Sequence, residues 1–202
     1  MDFFMKTYAA ILALLAAATG YYFYLEDEAS ILRYKKAQET DPGQIKSFNE
    51  TKLLSEKGDP KAQFDLGFKY AQGHGVVLDE LQAATWYRKA ADQGHTDAQC
   101  FVGIAYSKGK GVPKDLVQAA SWYRRAAEQG HEAALALLAE CYLNGEGVPK
   151  DLVQAYAYFN LPGWGRRQAD ELEKKMSVDQ VADGQKLSRQ LQSEIDARKA
   201  GT

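Results

Sequence analysis

Three histidines, two cysteines and one recurring aspartate are where this chain of 202 residues could do chemistry. His74, His95 and His131, with Cys100 and Cys141, are metal-ligand types. A zinc ion needs three or four such ligands converging on it at about 2 Å. His95 and His131 stand 36 residues apart, at equivalent places in a repeat. On stacked helical hairpins such places lie about 8–10 Å from each other. No third ligand joins them, so they read as residues beside a helix-terminating glycine. Two cysteines are too few for a disulfide scaffold or a four-thiolate metal site. They read as buried thiols, or as a pair if the compartment is oxidising.

The aspartates are Asp79, Asp115 and Asp151. General acids need raised pKa values, which a solvent-facing turn does not supply. Each is followed three residues later by Gln82, Gln118 or Gln154, which is the spacing of a helix capping box. Gly-x-Gly pairs at 73/75, 109/111 and 145/147 follow a helix rather than a strand and lack the lysine of a phosphate loop. Neither G-x-S-x-G nor H-E-x-x-H occurs. The chain therefore reads as non-enzymatic, without metal or cofactor. Its net charge of −2 offers no basic footprint for nucleic acid, and 46% hydrophobic with 26% charged residues is a globular composition.

Residues 7–25, TYAAILALLAAATGYYFYL, carry no charge. A bilayer-spanning helix needs about 20 such residues. Tyr21, Tyr22, Phe23 and Tyr24 suit a membrane–water interface. Residues 1–25 are thus a retained signal anchor or a cleaved signal peptide, with Ala16-x-Ala18 or Ala18-x-Gly20 as cleavage patterns. The aromatic belt and the spanning length favour the anchor. Lys6 on one side and Arg33, Lys35 and Lys36 on the other leave the positive-inside count undecided. A short N-terminal tail before an export-like segment points to a single pass in the inner membrane, with the rest facing the periplasm. The alternative is an exported periplasmic protein after cleavage.

The elements that would hold these residues repeat. Eighteen of 36 positions of 58–93 recur in 94–129, and 14 of those of 94–129 recur in 130–165. Asp59 and Pro60 open a first helix that Gly73 ends. Asp79 opens a second, which runs towards Gly94 and, one repeat on, Gly130. Ala62, Leu66 and Tyr70 share a face of the first helix, and Ala83, Trp86, Tyr87 and Ala90 share one of the second. One hairpin cannot cover such faces, so stacked hairpins are the folding unit. In the third copy Pro162 and Gly163 replace Ala126 and Ala127, so its second helix is predicted to stop near Leu161. Trp164 is read as a lid on the open end or an exposed contact.

The run Ala62-Gln63-x-x-Leu66-Gly67-x-x-Tyr70, then Gly73-x-Gly75-Val76, then Ala83-x-x-Trp86-Tyr87 to Gly94 resembles the Sel1-like repeat, a relative of the tetratricopeptide repeat. The repeat positions recur as Gly103, Tyr106, Trp122 and Gly130, then Tyr142. The resemblance implies an all-α solenoid of antiparallel helical hairpins behind the N-terminal membrane or signal helix. Its parts are an N-terminal cap over 26–57, repeats over 58–93, 94–129 and 130–165, and capping helices over 166–202. Ile45, Phe48, Leu53 and Leu54 mark one face of the cap, and Leu187, Leu191 and Ile195 mark one face of the last helix.

The resemblance also implies an adaptor that binds a protein or peptide partner in the bacterial cell envelope. The implied concave row is Phe64, Phe68 and Gln72, then Cys100, Ile104 and Lys108, then Ala136, Glu140 and Asn144. Phe64 and Phe68 would anchor a peptide, or else pack on the N-terminal cap. Some relatives have been linked to β-lactam or cell-wall chemistry, which is the alternative function, though no residue here carries it over.

Overall fold

The structure, a computed structural model, describes residues 41–161 and 165–201. Among them are nine α-helices and no strands. In chain order they are α1 (Pro42–Glu56), α2 (Pro60–Gln72), α3 (Glu80–Asp92), α4 (Thr96–Lys108), α5 (Leu116–Glu128), α6 (Glu132–Asn144), α7 (Leu152–Phe159), α8 (Arg166–Glu173) and α9 (Val178–Ala200). The hairpins are α2–α3, α4–α5 and α6–α7, and each helix packs on the next from α1 to α7.

Local chemistry sets these boundaries. An N-terminal turn leaves backbone N–H groups unpaired, and a side-chain acceptor at the cap takes one. Asp59 accepts from Ala62 N at 2.6 Å, Asp79 from Gln82 N at 2.9 Å and Asp115 from Gln118 N at 3.0 Å. The glutamines do not complete the box by reaching back. Among the described helices the reciprocal pair forms only at Ser177 and Gln180, which open α9. Each first helix ends on a left-handed glycine, Gly73, Gly109 or Gly145. The hairpin then closes with one repeated bond: Asp79 N donates to Tyr70 O, Asp115 N to Tyr106 O and Asp151 N to Tyr142 O.

Helix separation is set by small residues opposite large ones. A Cβ at Gly67 would lie 2.7 Å from the Tyr87 ring, and one at Gly103 would lie 2.5 Å from the Tyr123 ring. The glycines therefore let α2 and α4 lie against the tyrosines of α3 and α5. Between repeats, Gln63 and Gln99 are buried polar groups with their own ladder. Gln63 Nε2 donates to Ser55 O and Gln99 Nε2 to Ala91 O, both at 3.3 Å. Gln93 and Gln129 donate back to them at 2.7 Å. Leu135 replaces the glutamine in the third repeat, and the ladder ends there.

The same register shows what α1 is. Ser55 stands 36 residues before Ala91 and performs its role for Gln63. Gly75 sits tight against the Gln44 carbonyl, Gly111 against that of Glu80 and Gly147 against that of Leu116, again 36 residues apart. So α1 occupies the place of a second helix. Its Phe48 and Ser55 face α2 and are buried, whereas Ile45, Leu53 and Leu54 are exposed. The four-residue apolar face expected there is thus corrected to one buried ring. Leu54 corresponds to Ala90, which is fully buried.

The third hairpin ends as its Pro-Gly predicts: α7 has eight residues against 13 in α3 and α5. The long α9 lies on α7 and reaches α5, where Ile195 is buried and Arg198 pairs with Glu128 at 2.9 Å. Leu187 and Leu191 are half-buried beside it. Among the described residues no helix is long and apolar enough to cross a membrane. The anchor or signal segment at 1–25 lies outside the described residues, as do 26–40 and Pro162, Gly163 and Trp164.

Candidate functional site

The row at one face of α2, α4 and α6 is graded in exposure. At its N-terminal level Phe64 and Ala136 are half-buried, and Cys100 is buried at 1% exposure. Cys100 is therefore core, not a contact residue. At the middle level Phe68 and Glu140 are exposed and Ile104 is half-buried. One turn further, Gln72, Lys108 and Asn144 are all exposed.

The two aromatics of the row have different surroundings. Phe64 stacks on the His95 ring at 4.9 Å and meets Tyr87 and Phe101 at 5.6 and 5.4 Å. It packs into the junction with the second repeat and not on the N-terminal cap. The ring that meets α1 is Tyr70, edge-on to Phe48 at 5.4 Å. Phe68 touches His74 edge-on at 6.1 Å and remains 39% exposed. Phe101 and Leu137, one position after Cys100 and Ala136, are half-buried beside the row. They are absent from the sequence-derived row because their equivalent in the first repeat is the polar Asp65.

The repeat residues fall where the motif needs them. Gly67 and Gly103 are buried, and Tyr70, Tyr106 and Tyr142 close the hairpins. Trp122 is buried beneath Arg88 and Arg125, at 4.7 and 4.4 Å, whereas Trp86 is half-buried beneath Lys89 Nζ at 3.7 Å. Gly94 and Gly130 come two residues after their helices end, because Gln93 and Gln129 are the caps.

The histidines have a different task from the one their glycine neighbours suggest. His95 Nδ1 accepts from Ala98 N at 3.3 Å and His131 Nδ1 from Ala134 N at 3.1 Å. They cap α4 and α6, at the position Asp59 holds for α2. His131 Nε2 also meets Asp97 at 3.1 Å. Among the described residues no three of His, Cys, Asp or Glu gather where they could hold a metal ion. Both cysteines are free and buried. Burial pushes the Cys100 thiol up to about 11, with Asp97 adding to the shift, and burial likewise takes Cys141 to about 11. What the row can do is present apolar and polar contact at regular intervals.

Comparison with known proteins matches this geometry. The Sel1 repeat model fits residues 60–95, 96–131 and 132–161. A protective antigen of uropathogenic Escherichia coli with an SLR fold superposes with a TM-score of 0.69 at 35% identity, covering 82% of this chain. A Sel1 repeat protein from Oxalobacter formigenes gives 0.55 at 31% identity, covering 71%. The chain spans 38% and 54% of the lengths of those two proteins. No curated protein matches it. Three contiguous matched repeats cover half the sequence, and the chain belongs to the Sel1 repeat family.

Proposed function

We propose that this chain is a membrane-anchored, protein-binding scaffold of the bacterial envelope, whose partner lies along the concave row of α2, α4 and α6. Sel1 repeats generally mediate protein–protein interaction. The observation that carries the reading is the row itself. Phe68, Ile104 and Glu140, then Gln72, Lys108 and Asn144, reach the surface at one level in successive repeats. Hairpin stacking spaces these levels by about 8–10 Å, which suits an extended or helical segment crossing several repeats. Phe68 is the aromatic anchor, since a few buried aromatics carry most of the energy of such contacts.

A photo-crosslinker at position 68 or 104 in cells should yield a protein adduct that is absent when it is placed at the exposed Lys114. Equal adducts from all three positions, or none from 68 and 104, would sink the row. The envelope placement rests on the uncharged stretch 7–25. Alkaline phosphatase joined after residue 202 should be active if the repeats face the periplasm. Activity only of a cytoplasmic reporter would reverse the orientation.

A further inference from the structure

A second recess shares no residue with the row. It lies between α3 and α4, with a volume of about 300 Å³. That is the lower end of the range typical of ligand sites. Its floor is Ala84, Val102 and Ala105, and Gly111 and Val112 of the following turn close one side. Leu81, Thr85, Arg88 and Lys89 stand at its rim with Tyr106.

The repeat register shows that this space is written into the sequence. One repeat earlier, Phe48 stands where Ala84 does, and its ring fills the corresponding place against Tyr70. One repeat later, Leu138 and Cys141 stand for Val102 and Ala105, and both are buried. There Arg124 also swings onto the Tyr142 hydroxyl at 2.9 Å. Its counterpart Arg88 is held instead by Asp92 at 3.0 Å, so Tyr106 receives no such bond. This interval alone among the three combines all of Ala84, Val102 and Ala105: Phe48 replaces the first one repeat earlier, and Leu138 and Cys141 replace the other two one repeat later, where Ala120 keeps the alanine.

The lining gives the chemistry of the occupant. The walls are apolar, and the charged lining residues are two cations with no carboxylate. Asp92 takes up part of the charge of Arg88. Lys89 lies over Trp86 and pairs with no described carboxylate. Leu81, 61% exposed, extends the apolar surface outward from the mouth.

We propose that this recess is a docking site for an acidic peptide segment of a partner protein, which inserts one large apolar side chain between α3 and α4 and sets a neighbouring carboxylate on Lys89 and Arg88. The site is independent of the concave row, and one interval of the array carries it.

The test is fluorescence anisotropy on the full chain. The probes are a fluorescein-labelled peptide with a Leu-Phe pair flanked by glutamates and its lysine-flanked counterpart. The glutamate peptide should bind, and the lysine peptide should bind at least about tenfold more weakly. Val102→Leu with Ala105→Cys installs the side chains of the next interval, so it should fold as that interval does. It should lose binding about tenfold or more, as should Lys89→Glu, whereas Lys186→Glu, exposed on α9 and outside both the recess and the row, should leave binding within about twofold. Absence of binding, equal binding of both peptides, or an unaffected filled variant overturns the proposal. Self-association of the wild-type chain that the filled variant abolishes also overturns it, because the occupant would then be a second copy.

Discussion

The Tyr87 hydroxyl is a buried polar group without a hydrogen-bond partner. Burial alone raises its pKa, since the phenolate cannot be solvated there. In the next repeat Tyr123 donates to Ser107 Oγ at 3.2 Å. Ala71 occupies the place of Ser107 in the first repeat, which explains the orphan. Ala71→Ser should therefore add a bond of about 1 kcal/mol against a loss of about 0.5 kcal/mol in helix propensity. The urea midpoint should rise slightly, and Ser107→Ala should lower it by stranding Tyr123. A lower midpoint for Ala71→Ser would show that the hydroxyl is not the limiting group. The capping histidines give a second prediction. His95→Asp should preserve the cap, as Asp59 does, and His95→Ala should cost about 1 kcal/mol. Equal stability of the two variants would refute the capping role. The thiols of Cys100 and Cys141 add a pH dependence. Burial holds their folded pKa values at about 11, above the ordinary 9.0 of a solvated thiol. The unfolded chain therefore loses these protons first, and stability is complete below pH 9 and declines as pH rises from 9 through 11. Melting at pH 8 and 10.5 checks the sign, and alkylation at pH 8 should require unfolding.

At the scale of elements, the packing of α4 on α5 turns on Gly103. A methyl there would gain about 1 kcal/mol of helix propensity. It would also meet the Tyr123 ring at 2.5 Å, and overpacking of that kind costs about 1–3 kcal/mol. Gly103→Ala should thus destabilise on balance, and a raised melting temperature would show that Tyr123 can yield. Which elements form was legible in the sequence, because Asp caps, terminal glycines and the 36-residue register are local signals. The early end of α7 was legible for the same reason, as Pro162 cannot continue the ladder. The side of each helix that a residue faces was less so. Cys100 falls in the row by register yet is buried, since Phe101 beside it takes the outer place that Asp65 holds in the first repeat. The histidine caps were hidden because His is a rare cap, and only the alignment of His95 with Asp59 reveals the role. The recess between α3 and α4 depends on a difference between repeats, which is invisible to reasoning that looks for their sameness.

Across the whole array, each hairpin holds only its neighbours, so stability is a sum of local terms and interfaces. The two ends are not equivalent. The C-terminal end is covered: α9 lies along α7, buries Ile195 beside α5 and ties to it through Arg198 and Glu128. The large apolar cluster runs unbroken from Cys100 through Tyr156 to Ile195. At the described N-terminal end, α1 buries Phe48 and Ser55 and leaves Leu53 and Leu54 exposed. Opening free energy should follow this gradient, because a helix with few buried contacts opens without disturbing the rest. Native-state hydrogen exchange should find the slowest amides in α4, α5 and α6 and much faster exchange in α1. The glutamine ladder links α1 to α2 and α3 to α4, so Gln63→Leu should accelerate exchange in α1 and leave α6 unchanged. Protection of α1 equal to that of α5 would contradict the gradient. It would mean that the exposed leucines are covered in solution and that the array extends beyond α1.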